Sequence, residues 1–367
     1  MEVGGGLMTL SDLHGYEVSW ETPVRASLPH TDLTLLSSPP PGSGSVLEAI
    51  LGIAGLYQPS PPDLTRPAAW HRFVEACKFS FAKRTLLGDW NSDRQLGEAV
   101  RDVVSNLTST SWWEEVVSRI SDVTTSEDPA WYGAQFSQVE DGGTAHMSIL
   151  SPAGDAVSVT STINTLYGSK VVIVGFCVSL KSSGVQFMSP STGIILNNQM
   201  DDFSYPNIIN AYGVRPSESN IVAPGKRPVS SMSPTILLDS DNRVRAVVGA
   251  SGGTKIITAV AQVLYTLELA RKFENVLLQV LYRLVYLGQT VKQAVDARRL
   301  HHQLLPMVVV YEDGVTQWMV NGLEKMGHKM TKISIGGSIV QAIFVDRNTG
   351  DITANADFRK GGGVTGF

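Results

Sequence analysis

Two stretches of this 367-residue chain place a hydroxyl where its neighbours could make it a nucleophile. The first is Thr144 in DGGTAHMSIL (141–150). A glycine-rich segment runs directly into a threonine that opens an alternating, strand-like run. A chain that cuts itself needs this arrangement. The Thr144 hydroxyl attacks the carbonyl of Gly143, where a glycine leaves room for the attack and tolerates a strained backbone. After cleavage Thr144 owns a free α-amine, which serves as general base for its own hydroxyl, so no histidine is required. The same residues also read as a surface turn ahead of a strand.

The second stretch is VRAVVGASGGTKIITAV (244–260), in which Gly249, Ser251 and Gly253 match the G-x-S-x-G nucleophile elbow. The context agrees, with a strand signal before it and a helix signal after it. A serine triad of the α/β-hydrolase type would then draw its acid and base from Asp296, Glu312, His301, His302 and His328. In the other reading of GASGG, a loop at a helix N-terminus points backbone N–H groups at a ligand, and Ser251 attacks nothing.

The elements that must carry these residues follow from hydrophobic periodicity. Residues 1–38 form a leading segment with a strand signal at 32–36, and SSPPPGSG (37–44) is a loop that can open a helix. Apolar residues then recur at helical spacing over 46–56, 70–81, 96–104 and 112–120. Residues 121–143, rich in Ser, Thr, Asp and Gly, read as an exposed, flexible segment. Beyond it, 146–150 and 156–162 form a hairpin around a turn at 152–155, and further strands fall at 235–238 and 244–248. Helices follow at 255–269 and 274–287, then strand signals at 307–311 and 333–345 around a helix at 315–326. This order predicts an α+β layered domain.

Composition narrows the function. Hydrophobic residues make up 43% and charged residues 17%, enough for a sizeable core. The net charge of -5 argues against a nucleic-acid partner. The two cysteines, Cys77 and Cys177, exclude a disulfide framework and a Cys-based zinc site, and no metal or cofactor is expected. The N-terminus lacks the pattern of a signal peptide, and the longest apolar run, VVIVGFCVSL (171–180), is too short to span a bilayer as a helix. Asn106-Leu-Thr is a glycosylation sequon that matters only on an exported chain.

The stretch TAHMSILSPAGDAVSVTSTINTLYG (144–168) resembles the signature of the γ-glutamyltransferase family, with Thr, His two positions on, and a T-x-N…Gly pattern in order. The likeness continues through GIILNNQMDDF (193–203), PGKRPVSSMSPTI (224–236), VVGASGGT (247–254), RLHHQLLP (299–306) and RKGGG (359–363). Upstream, PPPGSG and VEACKFSFAKRTLLGD (74–89) are similar to the end of that family's large subunit. The resemblance implies an N-terminal-nucleophile hydrolase, a four-layer αββα sandwich. Residues 1–143 would be the mainly helical C-terminal portion of the large-subunit region, and 144–367 the small catalytic subunit region.

Carried over by resemblance, Thr144 is the nucleophile and Thr162 assists its processing and orientation. Asn164, Gln199 and Asp202 hold the ammonium end of a γ-glutamyl group, Ser230 and Ser231 its α-carboxylate, and the N–H groups of Gly252 and Gly253 form the oxyanion hole. The implied substrates are glutathione and other γ-glutamyl amides, with water, an amino acid or a dipeptide as acceptor. The implied location is the extracellular face of the plasma membrane. Two departures are expected to leave this chain with little or no activity, and a non-catalytic, family-derived chain that binds a ligand or partner stands as a further alternative. The family's upstream region, with its anchor or signal and an arginine for the substrate carboxylate, is not matched, which leaves Ser230 and Ser231 without a fixed cation. Residues 172–187 form an apolar insertion between Asn164 and Gln199.

Overall fold

Strand pairing ties the two ends of the chain together before any helix is considered. The computed structural model describes residues 9–58, 65–136, 143–165, 168–169, 194–206, 215–271, 290–334, 337–347 and 349–366, with the side chains of 267–271 left out. Its main sheet has six strands in the order β1 (Val24–Ser27), β2 (Thr34–Ser37), β5 (Thr235–Leu238), β6 (Val244–Ser251), β10 (Ile339–Val345) and β11 (Ile352–Ala356). Every neighbour in it is antiparallel. Two strands come from before Gly143 and four from after it, so the two regions share one sheet.

The strands β3 (Thr144–Leu150) and β4 (Ala156–Thr162) form a separate hairpin with Thr144 opposite Thr162. Period-2 alternation gives it two faces. One carries Thr144, His146, Ser148, Ser158, Thr160 and Thr162 and is half-buried. That face lies on the main sheet, where Ser148 donates to the Gln341 carbonyl at 3.2 Å and Ser158 to the Val248 carbonyl at 3.1 Å. A small third sheet joins β7 (Leu300–His301), β8 (Val309–Glu312) and β9 (Met330–Ile333).

The helices are α1 (Leu10–His14), α2 (Gly44–Leu56), α3 (Pro67–Arg84), α4 (Arg94–Leu107), α5 (Thr110–Arg119), α6 (Lys255–Arg271), α7 (Val291–Asp296) and α8 (Gln317–Lys325). Their starts have local causes. Pro67 sits in the first turn of α3, and Asp93, Ser109 and Thr316 cap α4, α5 and α8 with side-chain oxygens. Helix α2, apolar apart from Ser45 and Glu48, is buried from Gly44 to Ala54 and packs against α3, α5 and α6. The arrangement is α+β.

Three expectations need correction. The exposed segment 121–143 is anchored over its first part. Tyr132 is buried and donates to the Glu75 carboxylate at 3.0 Å, and the Thr125 N–H donates to the Met326 carbonyl at 2.9 Å. Most of its described residues are exposed as expected, but Tyr132 and the half-buried Thr125 join Glu75 and Lys78 in a buried network. The strand signal over 333–345 splits into β9 and β10, which belong to different sheets. Strands β1, β7 and β11 were not anticipated, because four residues or so of alternation is a weak period. The helix expected at 274–287 and the insertion 172–187 lie outside the described residues.

Within α2, Glu48 is fully buried, and neither carboxyl oxygen has a hydrogen-bond partner among the described residues. Desolvation pushes its pKa up to about 9. The folded state therefore binds a proton that the unfolded chain releases near the ordinary value of 4.5. Stability is full below that value and falls as pH rises toward 9, by up to about 1.4 kcal/mol per pH unit. Glu48→Leu should raise the melting temperature, and the gain should be larger at pH 8 than at pH 5. Thermal unfolding at the two values checks this; a gain independent of pH contradicts it.

Candidate active site

The site is assembled around the first rung of the hairpin. Gly143 has φ +47°, a left-handed conformation that glycine takes without penalty. Its carbonyl accepts from Thr162 Oγ1 at 2.9 Å, and that hydroxyl in turn accepts from the Asn164 N–H at 2.8 Å. The Thr162 proton is thus committed to the carbonyl next to Thr144. Asn164 is buried at φ +70°, and its side-chain amide donates to the Asn198 carbonyl at 3.2 Å. Asn198 receives the Thr165 N–H at 3.1 Å and leads into a 3-10 turn, Gln199–Asp202. There the Gln199 amide donates to the buried Asp202 carboxylate.

The structure therefore brings Thr144, Thr162, Asn164, Gln199 and Asp202 into one hydrogen-bonded run. Ser230 and Ser231 join through Asn220. This buried side chain donates to the Asp202 carbonyl at 2.8 Å and accepts from the Val229 N–H at 2.9 Å. The segment from Ser230 to Pro234 is held in turn by the Ser-Pro-Gly loop. Ser230 N–H donates to the Pro41 carbonyl at 2.9 Å, Ser43 Oγ to the Ser230 carbonyl at 2.6 Å, and Ser37 Oγ to the Pro234 carbonyl at 2.9 Å. Arg84, at the end of α3, donates to Ser43 Oγ at 3.2 Å and to Ser231 Oγ at 2.8 Å.

Gly252 and Gly253 stand between β6 and α6 with φ +128° and +60°. A side chain on Gly252 would meet the Gly337 carbonyl oxygen at 2.1 Å. The loop is tied to Thr144 through the packing of β3 on β6. The His146 ring lies against Gly249, where a Cβ would approach it to 2.2 Å. Both ring nitrogens are engaged, Nδ1 with Thr160 Oγ1 at 2.8 Å and Nε2 with Ser148 Oγ at 3.1 Å. Burial pulls the His146 pKa down to about 4, so the ring is a neutral spacer at ordinary pH. From the C-terminal motif, Lys360 Nζ reaches the Thr144 carbonyl at 3.4 Å. Its chain neighbour Arg359 has a side chain buried against Asp357 at 3.0 Å and also pairs with Glu312.

The elbow reading is not assembled. Ser251 is the buried last residue of β6, inside an all-antiparallel sheet unlike the parallel sheet that an elbow crowns. His301 bonds Thr258 and Gln303, His302 accepts from the Leu304 N–H, and His328 bonds His71. His71, Glu75 and His328 bring donor atoms within 4.8 Å of one another. The two rings meet at 2.7 Å and Lys78 pairs with Glu75 at 3.0 Å, while His328 Nδ1 is buried with no hydrogen-bond partner among the described residues. Ser43, Arg84 and Asn220 were missed by sequence reasoning. A Lys-Arg pair ending a helix reads as solvated, although Ala76, Ser80 and Arg84 share one buried stripe at spacing four.

A family model described as gamma-glutamyltranspeptidase matches residues 1–367. Scoloptoxin SSD14 of Scolopendra dehaani is 38% identical over 366 residues, covering 99% of this chain and 56% of the relative. Glutathione hydrolase 2 of Arabidopsis thaliana is 35% identical over 384 residues, covering 100% of this chain and 59% of the relative. The chain thus spans little more than half the length of either. Among solved structures, the cephalosporin acylase from Bacillus halodurans superimposes with a TM-score of 0.67 at 19% identity. That match covers 97% of this chain and 55% of the acylase, and it speaks for the fold alone.

The contact between His146 and Gly249 is a direct test of how the hairpin seats. Gly249→Ala should destabilise the protein by about 1–3 kcal/mol, because the ring is held at both nitrogens and cannot yield. In a His146→Ala background the same change should cost little, since the space is vacated. Denaturant unfolding of the four proteins measures the coupling. Additive losses would show that the hairpin does not rest there.

Proposed function

The chain belongs to the gamma-glutamyltranspeptidase family, and from that premise we propose that it cleaves itself at Gly143–Thr144 and then acts as a γ-glutamyl hydrolase and transferase. The observation that carries the reading is the Thr162 hydroxyl donating at 2.9 Å to the Gly143 carbonyl, on the strand position opposite Thr144. A donor on that oxygen withdraws electron density from the carbonyl carbon, and the hydroxyl to attack it stands on the next residue. Gly143 holds its left-handed φ of +47° without the penalty that a side chain there would bring.

In the second stage the α-amine of Thr144 takes the proton from its own hydroxyl as the oxygen attacks a γ-glutamyl amide. The N–H groups of Gly252 and Gly253 receive the developing oxyanion. The departing amine leaves a γ-glutamyl ester on Thr144, and water or an acceptor amine removes the acyl group. A γ-glutamyl group is a zwitterion. The Asp202 carboxylate with the side-chain carbonyls of Asn164 and Gln199 suits its ammonium, and the hydroxyls of Ser230 and Ser231 suit its carboxylate. Glutathione is the substrate class that the relatives' names support. In this reading the β3–β4 hairpin belongs to the second sheet of a four-layer αββα sandwich.

Denaturing gels and N-terminal sequencing test the first stage. The protein should yield fragments 1–143 and 144–367, with Thr144 as the new N-terminus. Thr144→Ala should abolish cleavage, Thr144→Ser should keep some of it, and Thr162→Val should slow it by roughly 10²-fold. A new terminus elsewhere removes the assignment. Ser251→Ala should leave most γ-glutamyl anilide hydrolysis intact. A Ser251→Ala protein that cleaves before Thr144 yet has no turnover would return the serine to the mechanism.

A further inference from the structure

Arg84 lies on the upstream side of the proposed cut, and Ser231 on the downstream side. The guanidinium is buried, and two of its nitrogens meet two serine hydroxyls, Nε to Ser43 Oγ at 3.2 Å and Nη2 to Ser231 Oγ at 2.8 Å. A guanidinium only donates. Each hydroxyl it touches must therefore accept from it and turn its own proton elsewhere. Ser43 obeys this rule visibly, since its Oγ donates to the Ser230 carbonyl at 2.6 Å. Ser231 is under the same constraint, so its proton cannot face Arg84.

We propose that Arg84 is a positioning residue for the serine pair: bridging Ser43 and Ser231, it sets the Ser231 hydroxyl as a donor toward the α-carboxylate of the γ-glutamyl substrate. The proposal rests on the functional reading above and extends it to a residue outside the motif that binds the carboxylate. A serine placed to bind an anion is useful only when its proton points at that anion. A hydroxyl that accepts from a charged donor also becomes a better donor itself. The permanent charge of arginine makes this orientation independent of pH. The bridge further fixes where the pair stands. Ser43 holds the Ser230 carbonyl, its N–H donates to the Met232 carbonyl at 3.1 Å, and Pro41 takes the Ser230 N–H. Lysine keeps the charge but, as a compact point donor on a flexible stem, does not present two nitrogens in one plane.

The experiment compares the intact protein with Arg84→Lys and with Ser43→Ala. The readouts are KM and kcat for a γ-glutamyl anilide, and competitive inhibition by L-glutamate and by 4-aminobutyrate, which lacks the α-carboxylate. Arg84→Lys should raise KM and the L-glutamate inhibition constant about 10-fold. Its kcat should fall less than about threefold, the 4-aminobutyrate constant should not move, and cleavage before Thr144 should stay complete. Ser43→Ala should show the same selectivity at smaller amplitude, and it decides the matter where Arg84→Lys does not fold. Equal losses for both inhibitors, or no loss for either, overturn the positioning role while leaving the functional reading in place. A parent protein that neither cleaves before Thr144 nor turns over the anilide overturns both.

Discussion

One hydroxyl joins the backbone of the two strands on which the site depends. Thr162 Oγ1 accepts from the Asn164 N–H and donates to the Gly143 carbonyl, so a single side chain fixes the end of β4, the start of β3 and the turn that follows. Its placement is a matter of register. A slip of one residue in the hairpin would turn Thr144, His146, Ser158 and Thr162 to the opposite face together. The polar contacts to Gln341 and Val248, and the His146 ring against Gly249, hold the register from the sheet side. The Asn164 and Asn198 contacts then carry the geometry outward to Gln199 and Asp202, and Asn220 carries it on to the serine pair.

The residues before Gly143 help to build the candidate site. They supply β1 and β2 to the main sheet, the buried helix α2 behind it, and the loop and arginine that hold Ser230 and Ser231. Asp89 also pairs with Arg227 at 2.8 Å and receives its N–H at 3.0 Å, a second link across the junction near the serine segment. A break at Gly143–Thr144 would leave all of these in place, because none of them runs through that peptide bond. The ionic group of Arg299, Asp357, Arg359 and Glu312 does the same for the C-terminus. Burial alone would raise the Asp357 carboxyl, but Arg299 at 2.6 Å and the Val340 N–H hold it below the usual range. Among the described residues no helix is long and apolar enough to cross a membrane.

The candidate site was more legible in the sequence than the surroundings that support it. The motif residues were named through their resemblance to a family signature, and the strand 156–162 was legible because strict alternation leaves little choice of register. The supports escaped notice for a physical reason. Ser43, Arg84 and Asn220 act through partners up to 187 positions away, and no local period encodes such a contact. Segment 121–136 is mostly exposed, as its composition implies, but the anchoring of Thr125 and Tyr132 shows only once Glu75 and Lys78 are placed opposite them. Arg84 escaped in the same way, because it reaches Ser231 from the end of a helix that sequence alone left at residue 81.

The central claim is that Thr144, not Ser251, is the atom donor for covalent chemistry. It is tested most directly by labelling the protein with an electrophilic glutamine analogue, a diazoketone that keeps the α-amino and α-carboxyl groups, and mapping the adduct by peptide mass spectrometry. The account predicts one adduct, on the peptide that begins with Thr144, suppressed by excess L-glutamate. An adduct on Ser251, or labelling of Thr144 that L-glutamate does not suppress, would contradict it.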